Sequence, residues 1–299
     1  MENIAPALLE WFYKNQRILP FRTDPSPYHV WLSEIMLQQT RVAAVLPYFQ
    51  RFMEAFPTVE ALAQADTERL MKLWEGLGYY SRARNLQKAA RIVCEQYGGQ
   101  LPADYDALRA LPGIGDYTAG AIASISFGLA VPAVDGNVLR VFSRLYNDPG
   151  VITEPAVKRA FTARVMEHQP PEKAGDYNQA LMELGALVCV PNGAPLCEQC
   201  PLASLCEARR AGTALELPHK AAPKARRIEC WPKTPKDVSC CSSGPQKVCW
   251  PVCGSRFCGR AKPSAPKKSA PGWKRWALPV RTSNLCRRQS IFSATSSGG

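Results

Sequence analysis

Two acidic residues lie in stretches that would give their carboxyl groups different chemistry. Glu34 lies one helical turn before Gln38, and half-burial there would raise its pKa so that it could act as an acid. Asp135 is placed as the N-cap of the next helix, where its carboxylate would stay ionised. One neutral acid and one ionised carboxylate are the pair needed to break a glycosidic bond through a cation-like transition state. A solvated helix face for Glu34 and simple capping by Asp135 are the alternatives.

Four cysteines within 18 residues form the most specific pattern in the sequence: Cys189, Cys197, Cys200 and Cys206. In a reducing compartment, clustered cysteines indicate a metal more often than a disulfide. Structural zinc sites usually show two paired Cys-x2-Cys or Cys/His knuckles. A single Cys-x2-Cys followed by proline, with wider outer spacings, fits a 4Fe–4S cluster better. The pattern therefore predicts a 4Fe–4S cluster, with zinc as the alternative.

Two further stretches carry side chains suited to a nucleic-acid contact. Gln38, Gln39 and Thr40 follow Glu34, and amides there could read bases or fill a gap in their stack. Farther along, an exposed Tyr79 could wedge between bases. The arginines after it, Arg82 and Arg84, are candidates for a phosphate contact. The alternative is that Tyr79 and Tyr80 only pack under a turn.

The stretch Leu111 to Gly120 predicts a tight hairpin between two helices. Gly113 and Gly115 let the backbone turn with positive φ and leave amide groups uncovered. The second helix then points its positive end outward, so amides and dipole form a seat for one DNA phosphate. An ordinary helix–turn–helix corner explains these ten residues about equally well.

Helices must position all of these groups, because apolar residues recur at helical spacing and no alternating strand pattern of useful length occurs. The fold class predicted for the body is all-α, with nine to eleven short helices. Thr58 and Asp66 are expected to be N-caps. The expected helices are Ile4–Asn15, Tyr28–Gln38, Val42 to before Pro57, Val59–Gln64, Thr67–Gly76, Ser81–Tyr97, Ala103–Ala110, Asp116 to Gly128, Asn137–Tyr146, Pro155–Met166 and Asp176–Val188.

The formal net charge of +12 over 299 residues comes from the last part of the chain. Met1 to Leu217 contain 20 Lys+Arg and 23 Asp+Glu, whereas Pro218 to Gly299 contain 17 and 2. The charge therefore carries no weight for nucleic-acid binding by the body. Seven of the 12 cysteines also lie beyond residue 229.

Together these motifs resemble those of the helix-hairpin-helix DNA glycosylases with an iron–sulfur cluster, and within them the MutY-type adenine DNA glycosylases. The resemblance covers about Ile4 to Leu217. It rests on the four cysteines and on Trp31–Thr40, Gly76–Leu86, Leu111–Ala121 and Val134–Val141.

The resemblance implies the fold and a role for each catalytic residue. A six-helix barrel with the hairpin would span residues 23–128, packed against a cluster domain of residues 1–22 and 129–217. Glu34 would protonate an extruded adenine, and Asp135 would stabilise or capture the sugar cation. Tyr117 and Asn137 would line the same pocket.

The resemblance also implies the substrate and its contacts. Gln39 and Tyr79 would fill or wedge the base stack, and Arg22 would face the substrate. The partner would be double-stranded DNA with adenine opposite 8-oxoguanine or guanine, from which this base-excision repair family removes adenine. No signal peptide or apolar run long enough for a bilayer occurs in the sequence. We therefore expect a monomer in the bacterial cytoplasm, associated with the nucleoid, with no membrane partner.

Tyr117 separates this interpretation from its enzymatic alternative, an endonuclease III-like glycosylase for oxidised pyrimidines. Those enzymes share the barrel, hairpin and cluster but have a lysine at the position of Tyr117. A lysine amine forms a Schiff base and drives strand cleavage, whereas a phenol does not. The sequence therefore predicts a glycosylase with little or no lyase activity. A DNA-binding remnant without turnover is the non-enzymatic alternative.

Two features depart from the family pattern. Seven residues separate Cys189 from Cys197, where the family usually has six. The family also continues into a C-terminal domain related to the Nudix hydrolases, whereas the sequence after about Glu229 lacks hydrophobic periodicity. Residues 218–299 are therefore predicted to be a disordered basic tail. Our hypothesis is that the reading frame shifts near Arg227–Trp231; a small zinc site on the tail cysteines is the weaker alternative.

Overall fold

The computed structural model describes residues 2–221, 247–249 and 258–260. Thirteen α-helices and two 3₁₀ turns are described within residues 2–221. The turns are Pro171–Lys173 and Cys197–Gln199. The helices are α1 (Ala5–Asn15), α2 (Pro20–Thr23), α3 (Pro27–Leu37), α4 (Val42–Ala55), α5 (Val59–Ala63), α6 (Thr67–Trp74), α7 (Ser81–Tyr97), α8 (Tyr105–Ala110), α9 (Asp116–Phe127), α10 (Gly136–Leu145), α11 (Pro155–His168), α12 (Ala174–Leu187) and α13 (Glu207–Ala211).

The all-α prediction is confirmed for residues 2–221, while the predicted number of helices is too low. The two helices that the spacing did not predict are α2, with four residues, and α13, with five. Neither is long enough to show a helical repeat of apolar residues, which needs two to three turns. Each of them ends within a turn and a half of its start, so only local backbone geometry marks it.

Short polar side chains determine where several helices begin. Thr58 caps α5 by accepting a hydrogen bond from Ala61 N at 3.2 Å, and Asp66 caps α6 by accepting one from Arg69 N at 2.9 Å. Both caps agree with the sequence prediction. Asp104 caps α8 in the same way, accepting from Ala107 N at 2.8 Å. These bonds satisfy backbone donors that the first helical turn leaves without partners.

Two hydrophobic cores lie within the compact unit that contains residues 2–221. The first core runs from Leu19 to Ala123 and includes aromatic side chains of α3, α4 and α6 among its aliphatic residues. The second core combines α1 with residues from Val134 to Leu202. Leu19 and Phe21 belong to the first core, although the family resemblance placed residues 1–22 with the cluster domain. The predicted division into two domains otherwise stays a prediction.

Helix α9 lies between the two cores and packs against α3, α8 and α12. Its middle has no room for a side chain at Gly120, because a Cβ there would lie 2.1 Å from the carbonyl oxygen of Pro132. The connection between α9 and α10, residues 128–135, therefore runs directly against the backbone of α9. This close approach brings the start of α10 beside the start of α9.

The other described residues form two short strands. β1 (Lys247–Cys249) pairs antiparallel with β2 (Cys258–Arg260), with Val248 opposite Gly259. They lie within the segment that the sequence predicted to be disordered; the rest of that prediction, the frame-shift hypothesis and the possible tail zinc site lie outside the described residues. Among the described helices, none is both long and apolar enough to cross a lipid bilayer.

Candidate active site

A cavity of about 500 Å³ opens between the two cores. Glu34 reaches it from α3, Tyr117 from the first turn of α9, and Asp135 and Asn137 from the start of α10. The structure therefore brings together the four residues for which the sequence predicted catalytic roles. Because Glu34 is 83 residues before Tyr117 in the sequence, only the folded protein brings it together with the other three.

Glu34 is held in a state close to half protonation at neutral pH. Only 8% of the residue is exposed, and this burial raises the pKa of its carboxyl group to about 7. The hydroxyl of Tyr117 donates to Glu34 Oε2 at 2.6 Å and lowers the pKa. The charge of Asp135 raises it and that of Arg22 lowers it. Glu34 can therefore donate a proton near pH 7, the property required of a general acid.

Asp135 is both the N-cap of α10 and a wall of the cavity. Its Oδ1 accepts hydrogen bonds from the backbone N–H groups of Asn137 and Val138, each at 2.9 Å. Its Oδ2 accepts from Asn137 Nδ2 at 2.6 Å. Burial raises the pKa of Asp135 above its usual value, while these three donors lower it. Three donors and a helix N-terminus favour the anion, whereas Glu34 receives a single donor.

Arg140 continues the contacts of Asn137 toward the cysteine-rich loop. Its Nη2 donates to Asn137 Oδ1 and to the carbonyl of Gly185, both at 2.8 Å. Its Nε donates to the carbonyl of Cys189 at 2.7 Å. Sequence reasoning missed Arg140, although its position one turn after Asn137 on α10 places both on one helix face.

Arg22, which the family resemblance implies would face the substrate, lines the cavity and is bound there by a buried carboxylate. Arg22 Nη2 donates to Glu183 Oε2 at 2.8 Å, and Arg17 Nε donates to Glu183 Oε1 at 2.7 Å. Burial raises the pKa of Glu183, but the two arginines outweigh it and lower the pKa to about 2. This cluster was missed because Glu183 is 166 residues from Arg17, and nothing in the local sequence pairs them.

The residues after α3 lie at the cavity edge. Gln38, Gln39 and Thr40 all line the cavity. Gln39 is exposed and has a left-handed backbone with φ of 58°. Its side chain therefore projects from a fixed, sharply turned backbone, which is suitable for filling a gap in a base stack.

Arg82 has a different role from the phosphate contact that the sequence predicted. It is buried, and its Nη1 donates to the carbonyls of Ile35, Met36 and Gln38 at 2.8–3.0 Å. Its Nη2 donates to Leu77 O at 2.9 Å. Arg82 therefore caps the C-terminus of α3, where carbonyls without helical partners and the negative end of the dipole attract a cation.

The neighbouring residues of this turn remain accessible. Arg84 is exposed and stays a candidate for a phosphate contact. Tyr79 is 63% exposed with φ of 46°, so its ring does not pack under a turn. Its exposure is the property required of a wedge between bases.

The hairpin between α8 and α9 has only one of the two predicted positive φ angles. Gly113 has φ of 83°, and a Cβ there would lie 2.9 Å from the Cβ of Asn85. Gly115 instead has φ of −100° and ψ of −178° as the N-cap of α9, so the prediction for this residue is wrong. An extended N-cap is the ordinary way for a chain to enter a helix, which removes the need for a left-handed residue there.

The four cysteines of the predicted cluster line a single small cavity. Arg144 lies beside them, with its Nη1 3.3 Å from Cys189 Sγ. Burial raises the pKa of the Cys200 thiol to about 12, and the other three cysteines add to this effect. Within the described residues, no three His, Cys, Asp or Glu side chains are arranged to hold a single metal ion.

Comparisons with known proteins agree with this arrangement. Residues 32–167 match the family "HhH-GPD superfamily base excision DNA repair protein". The chain is 46% identical over 213 residues to the adenine DNA glycosylase of Homo sapiens. This aligned region covers 68% of this chain and 39% of the relative. It is 39% identical over 214 residues to that of Buchnera aphidicola subsp. Schizaphis graminum, covering 71% and 61%.

A solved structure of a non-covalent endonuclease III–DNA complex has the same fold. It superimposes with a TM-score of 0.59 and 26% identity over 70% of this chain and 96% of that one. The chain thus spans about two fifths of the human relative and three fifths of the Buchnera relative. The family match over residues 32–167 includes Glu34, Tyr117 and Asp135. The helical body of the chain therefore carries the domain of the HhH-GPD superfamily of base excision DNA repair proteins, and it is similar to adenine DNA glycosylases, the MutY type within that superfamily.

Proposed function

We propose that this protein is an adenine DNA glycosylase that hydrolyses the N-glycosidic bond of adenine opposite 8-oxoguanine or guanine. The observation that carries the proposal is the position of Glu34, hydrogen-bonded to Tyr117, in one cavity with Asp135. This is the pair of carboxyl groups, one able to be neutral and one held as an anion, that glycosidic bond cleavage needs. The identities with adenine DNA glycosylases support adenine as the base.

In this proposal the protein acts as a monomer on duplex DNA and extrudes the adenine into the cavity. Extrusion costs less for a mispaired base, which favours mispairs over adenine in normal pairs. Glu34 then transfers its proton to the purine ring, so that the base leaves as a neutral molecule. Tyr117 keeps its proton, because burial raises its pKa well above the usual value, and fixes the Glu34 carboxyl by hydrogen bonding.

Asp135 serves the sugar side of the same bond. As the base departs, positive charge develops on the sugar, and a carboxylate anion in a buried site stabilises that charge. The backbone N–H groups of α10 and the Asn137 amide hold this carboxylate in one orientation. Water then adds to the sugar carbon, which leaves an abasic site and free adenine.

The decisive experiment measures adenine release from an A:8-oxoguanine duplex with enzyme in excess. Wild type should release adenine, and Glu34→Gln, which has no proton to transfer, should be slower by about 10²–10⁴-fold. Glu172→Gln removes an exposed carboxylate outside the cavity and is the matched control, with an unchanged rate expected. Equal rates for wild type and Glu34→Gln would contradict the proposal.

The two alternative functions give different results in the same assay. An endonuclease III-like enzyme would release thymine glycol and nick the strand, whereas this chain should leave a thymine glycol duplex intact. The specific observation against it is Tyr117, a phenol where a Schiff-base amine would be needed. A binding protein without turnover would retain the duplex but release no base from either substrate.

We also propose that Cys189, Cys197, Cys200 and Cys206 hold a 4Fe–4S cluster. The donor set fits, because four thiols without carboxylates line one cavity and Arg144 donates an N–H group to one of their sulfur atoms, Cys189 Sγ. The cluster would offset the charge of four thiolates and tie the loop after α12 to α10. Purified protein should be brown, with the broad visible absorption bands that iron–sulfur proteins show. A colourless protein that contains stoichiometric zinc would refute the proposal.

DNA would contact the face that carries the hairpin and the exposed wedge. Gly113 and Gly115 present backbone N–H groups at the start of α9. Tyr79, Gln39 and Arg84 are exposed on neighbouring turns. The basic tail would add affinity that is independent of DNA sequence and sensitive to salt.

A further inference from the structure

We propose that Asn178 is a positioning residue for the catalytic reaction, because its side-chain amide fixes the connection that carries Asp135 against the helix that carries Tyr117. The inference rests on the proposed function for its effect on rate. Asn178 lies on α12, is fully buried, and does not line the catalytic cavity. Its role is therefore mechanical support from behind the site.

The Asn178 amide makes four hydrogen bonds, which use its two donors and both acceptor positions of its oxygen. Nδ2 donates to Ser124 Oγ at 2.8 Å on α9 and to Val131 O at 2.9 Å in the connection. Oδ1 accepts from Ala133 N at 3.2 Å and from Gln169 Nε2 at 3.3 Å. One side chain thus joins α9, α12 and both ends of the Val131–Ala133 segment.

Contacts on the other side of this segment remove its remaining freedom. A Cβ at Gly120 would lie 2.1 Å from the carbonyl oxygen of Pro132, so the two backbones are in direct contact there. Gln169 Nε2 makes a second bond to Val131 O, at 3.1 Å. The segment is therefore held between the backbone of α9 and the amide of α12, and a displacement in either direction breaks a hydrogen bond or creates a clash.

This support determines the spacing between the two carboxyl groups. Asp135 is two residues beyond the held segment, and Tyr117, which bonds Glu34, is one turn before Gly120 on α9. A shift of the segment away from α9 therefore moves Asp135 away from Glu34. Displacements of about 1 Å at a catalytic group reduce rates by about 10²-fold, so the support matters for turnover.

The test uses two substitutions that disturb the segment from opposite sides in the full-length chain. Asn178→Asp keeps the acceptors for Ala133 N and Gln169 but loses both donors and faces Val131 O with a carboxylate. Gly120→Ala leaves Asn178 intact and pushes Pro132 away from α9. Gln87→Glu is the matched control, since Gln87 is an equally buried amide in the first core that donates to Ala65 O at 2.6 Å.

Three measurements separate positioning from general destabilisation. The first is the single-turnover rate of adenine release, and the second is the Kd for the same duplex with an uncleavable adenosine analogue. The third is the pKa of Glu34 by ¹³C NMR in protein without DNA, assigned with Glu34→Gln. The charged and titratable groups facing Glu34 are Tyr117, Asp135 and Arg22, and of these only Asp135 directly follows the displaced segment in the chain.

We expect Asn178→Asp and Gly120→Ala to release adenine about 10²-fold more slowly with little change in Kd. The pKa of Glu34 should fall in both, because the carboxylate of Asp135, which raises it, is farther away. Gln87→Glu should change neither. If Asn178→Asp does not fold, Gln169→Ala takes its place, because it removes the hydrogen bonds that Gln169 Nε2 donates to Val131 O and to Asn178 Oδ1.

Two results overturn the inference. The first is an unchanged rate of adenine release in Asn178→Asp and Gly120→Ala. The second is a slower rate in these variants with an unchanged Glu34 pKa, when Gln87→Glu is slowed as well. Failure of the proposed function looks different, because wild type itself would then release no adenine. In that case the Glu34 pKa still decides whether Asn178 sets the distance between the two carboxyl groups.

Discussion

At the scale of single residues, the protonation of Glu34 links structure to rate. Burial raises its pKa to about 7, so the neutral form, the one that can protonate adenine, is lost as pH rises through this value. Asp135 accepts three hydrogen bonds that favour its charged form, although burial raises its pKa above the usual value. Loss of the neutral form of Glu34 therefore limits the pair as pH rises above neutral.

The rate of adenine release should therefore fall as pH increases above about 7, approaching about tenfold for each pH unit. The measurement is the single-turnover rate between pH 6 and pH 9 at constant ionic strength, with enzyme in excess. Glu34→Gln should show a low rate without this alkaline fall. A wild-type rate that rises across the same interval would show that Glu34 acts as a base instead.

Tyr117 sets the type of product. Tyr117→Lys places an amine at the start of α9, within reach of the sugar carbon that Asp135 faces, and should add strand nicking through a Schiff base. A denaturing gel of the duplex after incubation, with and without alkali, measures it, and borohydride should trap the covalent complex. Tyr117→Phe is the control that removes the hydroxyl without adding an amine; nicking by neither variant counts against the assignment.

The sequence predicted a catalytic residue correctly where the reacting group and the neighbours that identify it lie in one short stretch. Glu34 and Asp135 could be identified because each is in a short motif with helical spacing. Arg82 was wrongly assigned because its partners are carbonyls at the end of α3, 44–47 residues away. Glu183 and Asn178 were not identified, because the partners of Glu183 are 161–166 residues away, most of those of Asn178 are 45–54 residues away, and side-chain burial has no local signature.

At the scale of elements, the hairpin offers a matched pair of glycines. Gly113→Ala should lower the free energy of unfolding by about 1–3 kcal/mol, since φ of 83° is strained for a side chain and the Cβ would press on Asn85. It should also weaken binding to duplex DNA. Gly115→Ala should change little, because its φ of −100° suits any residue and nothing lies within 4 Å.

Urea unfolding and a DNA titration on both hairpin variants check this prediction. Equal effects of the two substitutions would show that the backbone at Gly113 can relax without cost.

Helix positions themselves were predictable because apolar spacing and caps such as Thr58 are local. The short helices α2 and α13 were not, since four or five residues do not establish a period.

At the scale of the whole molecule, the charge asymmetry separates affinity from catalysis. Residues 1–217 have more acidic than basic groups, and the basic excess lies after them. A chain ending at Ala221 should keep the single-turnover rate but bind DNA more weakly, with a shallower dependence of log Kd on log salt concentration. Full-length protein measured over the same salt series is the control, and identical slopes would show that the tail does not contact phosphate.

The arrangement of the two cores was predictable only through the family resemblance. Hydrophobic spacing assigns residues to helix faces but not to one core or the other, as Leu19 and Phe21 show. The cavity between the cores depends on contacts such as that of Gly120 with Pro132, which bring residues of different helices together. Its lining could not be derived from any single stretch.

The cavity is lined by early and late parts of the chain, which has a consequence during synthesis on the ribosome. The proton donor at position 34 is synthesised early, yet its cavity is completed by Met182 and Glu183 on α12. A nascent or prematurely terminated polypeptide that ends before α12 thus contains Glu34 but lacks the part of the cavity that α12 lines. Under the proposed function, such a polypeptide should release no adenine.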